Sequence, residues 1–233
     1  MRIKIQHVLL CCFILAIAAC KKDNYSAPSV KLTGQLTYKG SPIGLEYNQV
    51  PFNLFQAGFG KKGSVDATFA QDGSYSSLLF AGDYQFIIPN NQGPFRWNEN
   101  ASGNRDTVNV QLQGDKVMDI EVTPFYMVRD AQITAASGMA KATFKIEKVI
   151  TDANAKNIGS VTLYINRTQF VSGADNIKSA SINGADIVDL NNVSLSVAIP
   201  EIVPAQNYVF ARVGIKIDGV EDMIFSPLQK ITY

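Results

Sequence analysis

The chain has 233 residues, 46% of them hydrophobic and 18% charged, with 21 basic side chains against 20 acidic ones. That is too apolar for a disordered chain, and the balanced charge lacks the basic excess of a nucleic-acid binder, so nucleic acid is excluded as a partner. The one histidine, His7, and the three cysteines, Cys11, Cys12 and Cys20, all fall within the first twenty residues.

Residues 1–7 carry Arg2 and Lys4 and no acid, and Val8 to Ala19 is an unbroken apolar run of 12 residues. A basic start, a short apolar stretch and small residues before a cut describe a secretory signal peptide over 1–19. The run is too short to span a bilayer, which takes about 20 residues. Its end, Ile17-Ala18-Ala19-Cys20, resembles the lipobox of bacterial lipoproteins. The resemblance implies that the Cys20 thiol is diacylated, the signal cut before it and the new amine acylated, so the lipid membrane is a partner through Cys20. Several acyl chains, at about 0.8 kcal/mol per buried methylene, hold where one chain would not. The other reading is an ordinary cleaved signal in which Cys20 is incidental. Residues 20–29, polar and with a proline, read as a lipidated tether.

Cleavage removes His7, Cys11 and Cys12, and the loss of Arg2 and Lys4 leaves 19 basic side chains against 20 acidic ones. The mature chain then lacks Ser-His-Asp and Cys-His nucleophilic catalysis, histidine- or thiolate-held metals and internal disulfides. No cofactor and no metal is expected. A glycosidase working with two carboxyls is chemically conceivable, but two small sandwiches leave little room for a deep cleft, so the chain reads as a non-enzyme.

Beyond the tether the sequence alternates with period two: Val30, Leu32, Leu36 and Tyr38; a strand over Val50–Gln56; Val65, Ala67 and Phe69; Tyr84, Phe86 and Ile88; Val108, Val110 and Leu112; Met118, Ile120 and Val122. The pattern continues with Ala142, Phe144 and Ile146; Val161, Leu163 and Ile165; Val193, Leu195, Val197 and Ile199; and Val209 through Ile217. Such runs are strands with one face in a core. Gly-containing turns separate them, and Asp218-Gly219 between two apolar runs predicts a tight type I′ hairpin. No stretch has a helical period. The fold class is all-β: two tandem β-sandwich domains, over 30–124 and 125–233, with the break near Thr123-Pro124-Phe125.

The first half resembles the carboxypeptidase-regulatory-like, or transthyretin-like, sandwich. The resemblance rests on Gly34-Gln35-Leu36, Gly40-Ser41-Pro42-Ile43, Gln71-Asp72-Gly73-Ser74-Tyr75 and Ala81-Gly82-Asp83-Tyr84-Gln85-Phe86. Such modules are structural or binding attachments rather than peptidases. The second half resembles a fibronectin III or immunoglobulin-like sandwich through Ile202-Val203-Pro204-Ala205-Gln206-Asn207-Tyr208 and Ser226-Pro227. There Tyr208 would be a structural tyrosine corner, its phenol bonded back to the chain. As a whole the chain resembles outer-membrane lipoproteins of unknown biochemical function from Bacteroidetes-type bacteria. That resemblance is carried by Cys20-Lys21-Lys22-Asp23-Asn24-Tyr25, Asn91-Gln92-Gly93-Pro94-Phe95, Asp106-Thr107-Val108 and Glu121-Val122-Thr123-Pro124-Phe125. It implies an outer-membrane location, SusC/SusD-like glycan-import proteins as partners, and nutrient capture. Lys21-Lys22 depart from the acidic residues that follow the cysteine in surface-exported lipoproteins, which leaves the cell surface and the periplasmic face both open.

The most suggestive stretch runs from Pro89 to Asn100 and holds the single tryptophan in a polar loop. Sugar recognition stacks an aromatic face on the ring while amide, guanidinium or carboxylate groups bond its hydroxyls, and such residues favour loops on rigid scaffolds. Asn91, Phe95, Arg96, Trp97 and Asn98 are the candidate site for a polysaccharide or oligosaccharide, with Tyr47 and Phe59 as weaker additions. The competing reading folds Phe95 and Trp97 back as a cap on the core. Asp218, Glu221 and Asp222 lack calcium-loop spacing and read as solvated turn residues. Asp106-Thr107-Val108 matches a short O-glycosylation pattern and also a plain strand start.

Overall fold

In the computed structural model residues 26–56 and 63–233 are described. The signal segment, Cys20 and Phe59 lie outside the described residues. The first half contains β1 (Val30–Tyr38), β2 (Ser41–Pro42), β3 (Pro51–Gln56), β4 (Ser64–Thr68), β5 (Ser74–Leu79), β6 (Gly82–Ile87), β7 (Phe95–Arg96), β8 (Val108–Leu112), β9 (Lys116–Val117), β10 (Ile120–Glu121) and β11 (Thr123–Pro124). One sheet is built on β1, which pairs antiparallel with β5 and β2 and parallel with β9 and β10. The other runs β4-β3-β6-β8, all antiparallel. Their inner faces meet in an aromatic cluster: Phe52 stacks on Phe86 at 5.1 Å between centroids and lies 4.9 Å from Phe69 and 5.2 Å from Tyr75. Each such buried ring contributes about 1.5–3 kcal/mol of transfer free energy.

The expected single strand over Met118, Ile120 and Val122 is instead broken into β9, β10 and β11. The Tyr75 hydroxyl donates to the Met118 carbonyl at 2.6 Å and the Gln35 amide donates to Asp119 Oδ1 at 3.0 Å, which pulls the chain out of a regular ladder. Gly34 makes this crossing tolerable: a Cβ there would sit 2.0 Å from the Met118 carbonyl oxygen. Gly73 has the positive φ, 81°, that its turn before Tyr75 requires.

The second half contains β12 (Tyr126–Ala136), β13 (Met139–Lys148), β14 (Ile158–Asn166), β15 (Lys178–Asn183), β16 (Val193–Ala198), β17 (Tyr208–Ile217), β18 (Ile224–Phe225) and β19 (Gln229–Thr232). They form two antiparallel sheets, β12-β13-β16 and β15-β14-β17, with β18 and β19 pairing successive parts of β17. The molecule is thus all-β, two tandem sandwiches, and one contiguous core runs from Val30 to Ile231. Among the described residues the one helical turn is Gly184–Asp186.

The type I′ hairpin at Asp218-Gly219 does not form. β17 and β18 are joined by the longer loop from Asp218 to Met223, in which Gly219 has a positive φ, 67°, and Asp218 does not. The length has a use, because it carries Asp222 to the other domain.

The domains are joined by more than chain continuity. Arg212 on β17 is 1% exposed. Its Nε donates to the Ser226 carbonyl at 3.0 Å, its Nη1 to the Leu45 carbonyl at 3.0 Å and its Nη2 to the Gln71 carbonyl at 2.9 Å, the last two in the first domain. The guanidinium also lies 4.5 Å from the Phe225 ring centroid. Burial pushes Arg212 down to about 9, opposed by the fields of Asp72 and Glu46, so it is protonated at neutral pH. Beside it Gly44 and Phe225 form a β-bridge across the seam. The Asp222 carboxylate accepts from the Gly93 amide at 2.6 Å.

Candidate functional site

The Pro89–Asn100 segment leaves β6 and runs along the seam, braced from within by Arg105. Arg105 Nη1 donates to the carbonyls of Pro89 at 2.8 Å and Gln92 at 2.6 Å, and Nη2 donates to that of Phe95 at 2.7 Å. Its guanidinium lies 5.2 Å from the Phe95 ring centroid, and burial lowers its pKa. One side chain thereby satisfies three carbonyls that a polar loop would otherwise leave to water. Asn98, at φ 42°, donates from Nδ2 to the Asp106 carbonyl at 2.8 Å and closes the base of the following turn.

Within this frame β7 pairs with β11, setting Arg96 opposite Thr123 and Phe95 opposite Pro124. The pairing gives the stretch an in-out-in alternation. Phe95 is 2% exposed and Trp97 8%, with the indole edge-on to Phe86 at 5.9 Å. The rings cap the core, as the competing reading of the loop had it, and offer no open face for stacking. Arg96 points outward and is held by Glu99, its Nε 3.0 Å from Oε2, and this pairing raises its pKa. Asn91 is exposed at φ 63°.

Two cavities flank the Arg96–Glu99 pair, each of about 440 Å³. The first is bounded by Arg96, Trp97, Asn98 and Glu99 from one domain and Ile150, Thr151 and Asp152 from the other. The Asn154 amide holds the Asp152 carboxyl below its ordinary value, and Arg96 adds to this. The second is bounded by Asn91, Asn104 and Arg105 from the first domain and by Lys156 and Glu221 from the second. All five candidate residues therefore line a polar interdomain cleft, Trp97 and Asn98 on the first cavity, Asn91 and the edge of Phe95 on the second, and Arg96 on both. The cleft can exchange hydrogen bonds with a hydroxyl-rich ligand. Among the described residues no cluster of histidine, cysteine, aspartate or glutamate is arranged to hold a metal ion.

Other sequence assignments fall differently. Tyr208 is not a tyrosine corner: its ring lies under the Lys230 ammonium, 3.8 Å from the centroid, and among the described residues its hydroxyl makes no hydrogen bond. Tyr208 sits at the first position of β17, and the Gln206 carbonyl beside it is taken by the Tyr233 hydroxyl at 2.9 Å. A corner-like bond is made instead in the first domain, where the Tyr84 hydroxyl donates to the Phe80 carbonyl at 3.0 Å. Tyr47 is not part of the cleft lining and packs on Phe170 of the second domain at 4.7 Å. Asp218 and Glu221 are exposed, but Asp222 is 6% exposed and is no solvated turn residue. Sequence reasoning missed Arg105, Asp152 and Arg212 and misassigned Asp222. A lone arginine just past a loop rich in asparagine and glycine is the one signal that pointed to such a brace.

Two family models match the chain. The N-terminal domain of DUF3823, a protein family of unknown function, matches residues 30–123, and DUF3823_C, a domain of unknown function, matches residues 126–230. The chain belongs to the DUF3823 family. A DUF3823 protein from Parabacteroides merdae is 31% identical, with a TM-score of 0.76 over 89% of this chain and 100% of that one. One from Bacteroides ovatus is 30% identical, with a TM-score of 0.75 over 88% of this chain and 99% of that one. A candidate carbohydrate-binding protein from Bacteroides uniformis shares the fold at 17% identity, with a TM-score of 0.67 over 89% of this chain and 100% of that one. No curated protein is significantly similar to this DUF3823 chain.

Proposed function

We propose that this DUF3823 protein is a non-catalytic, lipid-anchored component of the outer membrane that binds glycan as an accessory to a SusC/SusD-like import system. The observation that carries the reading is the interdomain cleft, where Arg96, Glu99, Asn98 and Asp152 converge on about 440 Å³ of open space. Guanidinium and carboxylate groups each bond two neighbouring hydroxyls, which is how a protein grips a sugar edge. Seam and brace hold these groups before a ligand arrives, which lowers the entropy cost of binding. The lipobox at Cys20 supports the anchor, and a protein of the same fold is itself a candidate carbohydrate-binding protein.

Retardation of the purified protein in polysaccharide-containing native gels tests the reading. Arg96→Ala is expected to weaken retardation with little change in melting temperature, because half-exposed ion pairs contribute about 0–1 kcal/mol. Failure to bind any glycan that the neighbouring importer takes up would overturn it. The anchor is checked by metabolic labelling with a clickable fatty acid, which Cys20→Ala should abolish. Protease treatment of intact cells reports whether the protein faces outward.

A second reading is favoured by the burial of Phe95 and Trp97: a structural spacer or assembly factor that contacts envelope proteins and has no sugar site. Co-purification with the importer in detergent, unchanged by glycan, would select it.

A further inference from the structure

We propose that the outer face of the β3-β6-β8 sheet is a second glycan site, one that takes a neutral polysaccharide chain. This deepens the glycan reading above, but it uses a surface that shares no lining residue with the cleft. Strand alternation builds the surface. Leu54, Tyr84, Phe86, Val110 and Leu112 point into the core, so their neighbours Phe55, Gln85, Asn109 and Gln111 point out. Register lines them up: Phe55 lies opposite Gln85 and Gln85 opposite Asn109, with Asp83 opposite Gln111 in the adjoining row. A row across three strands is roughly 10 Å long. The face bounds an open hollow of about 640 Å³.

Two features point to a ligand rather than to a plain solvated sheet. Phe55 is 38% exposed at a position where a soluble sheet would ordinarily carry a polar residue. Beside it, the carboxamides of Gln85, Asn109 and Gln111 make no hydrogen bond among the described residues. An uncommitted amide presents donors and an acceptor together, matching a hydroxyl that is itself both. An aromatic face beside a row of amides is the pairing that sugar rings need: apolar C–H face on the ring, equatorial hydroxyls on the amides. Among the described residues Asp83 is the one charged side chain lining the hollow, and its carboxylate repels an anionic sugar, which favours a neutral occupant. With the cleft, one anchored molecule would engage a long polymer at two points and gain avidity without new contacts.

The test uses the whole protein in detergent, run in native gels containing hydroxyethyl cellulose, glucomannan, arabinoxylan, galactomannan, laminarin or, as the anionic comparison, polygalacturonate. Retardation by at least one neutral polymer is expected. Phe55→Ala and the double variant Gln85→Ala/Asn109→Ala should each weaken it at least tenfold at unchanged melting temperature. Phe55→Tyr should retain it. Neutral-polymer binding that survives both Phe55→Ala and Gln85→Ala/Asn109→Ala unchanged overturns the sheet-face site and leaves the cleft standing. Retardation by polygalacturonate alone does the same. No retardation by any polymer removes both.

Discussion

Arg212 brings a full charge into a seam where no carboxylate lies within ion-pairing distance among the described residues, and its partners are the backbone carbonyls of Leu45, Gln71 and Ser226 together with the Gln71 side-chain oxygen. Removing it strands those acceptors in a dry place, at about 1–3 kcal/mol each. Arg212→Ala is therefore expected to lower stability by about 3–5 kcal/mol in urea denaturation. Arg212→Lys should recover only part of this, since one ammonium cannot fork to acceptors in both domains. Asp222 offers a pH-dependent counterpart. Burial is the main cause raising its pKa, Glu221 adds to the rise, and the Gly93 amide opposes it. A carboxyl whose folded value is raised favours folding fully below its unfolded value, and that contribution is lost as pH rises through the folded value. Asp222→Asn keeps an acceptor for the Gly93 amide without the charge. Relative to the parent it should be more stable at pH 7, and the difference should vanish as the pH falls below about 4. Thermal melts across that range decide the sign.

At the scale of elements, the braced segment from Pro89 to Asp106 yields a sharper expectation than any single strand. Trp97→Ala should cost about 3–5 kcal/mol because it opens a cavity against Phe86. Arg105→Ala should leave most of the core intact while amide exchange quickens through residues 89–96, whose carbonyls it holds. A variant that loosened the whole domain equally would contradict the brace. The same segment shows what was legible in the sequence. Period-two runs such as Val193–Ala198 and Tyr208–Ile217 became strands because each has one clean buried face. β12 escaped notice because its ladder slips between Arg129 and Gln132, where Asp130 has φ 53°, and the alternation is interrupted. β15 escaped because Lys178–Asn183 is a mostly exposed edge with a weak apolar face. In the loop, Phe95-Arg96-Trp97 already alternates, a two-residue strand in disguise. The polar residues around it made it read as an open sugar platform, and its partner Thr123–Pro124 is 27 residues away. Asp222 and Arg212 were illegible for a related reason: each acts on the other domain, and local patterns hold no information about that contact.

The whole molecule depends on whether the two sandwiches behave as one body. Domains joined by a small polar interface ordinarily move relative to one another. Here the contacts combine one core, the Arg212 fork, the Asp222–Gly93 bond and the Gly44–Phe225 bridge, and the cleft keeps its shape only if they hold. Gly44 is the point at which to test this. A Cβ there would lie 2.3 Å from the Phe225 carbonyl oxygen and 2.9 Å from Arg212 Nη2, so one methyl group would push the strands apart at the seam. Gly114 is the matched control, with nothing within 4 Å of an added Cβ. Gly114→Ala should leave unfolding unchanged or raise stability by about 0.4–1 kcal/mol. The parent protein is expected to show one calorimetric transition whose van't Hoff and calorimetric enthalpies agree. Gly44→Ala should divide it into two, the domains then melting separately, and should weaken glycan retardation at the cleft while Phe55-dependent retardation persists. Two transitions in the parent, or one unshifted transition in Gly44→Ala, would mean that the sandwiches are merely tethered and that the cleft is not held open by the seam.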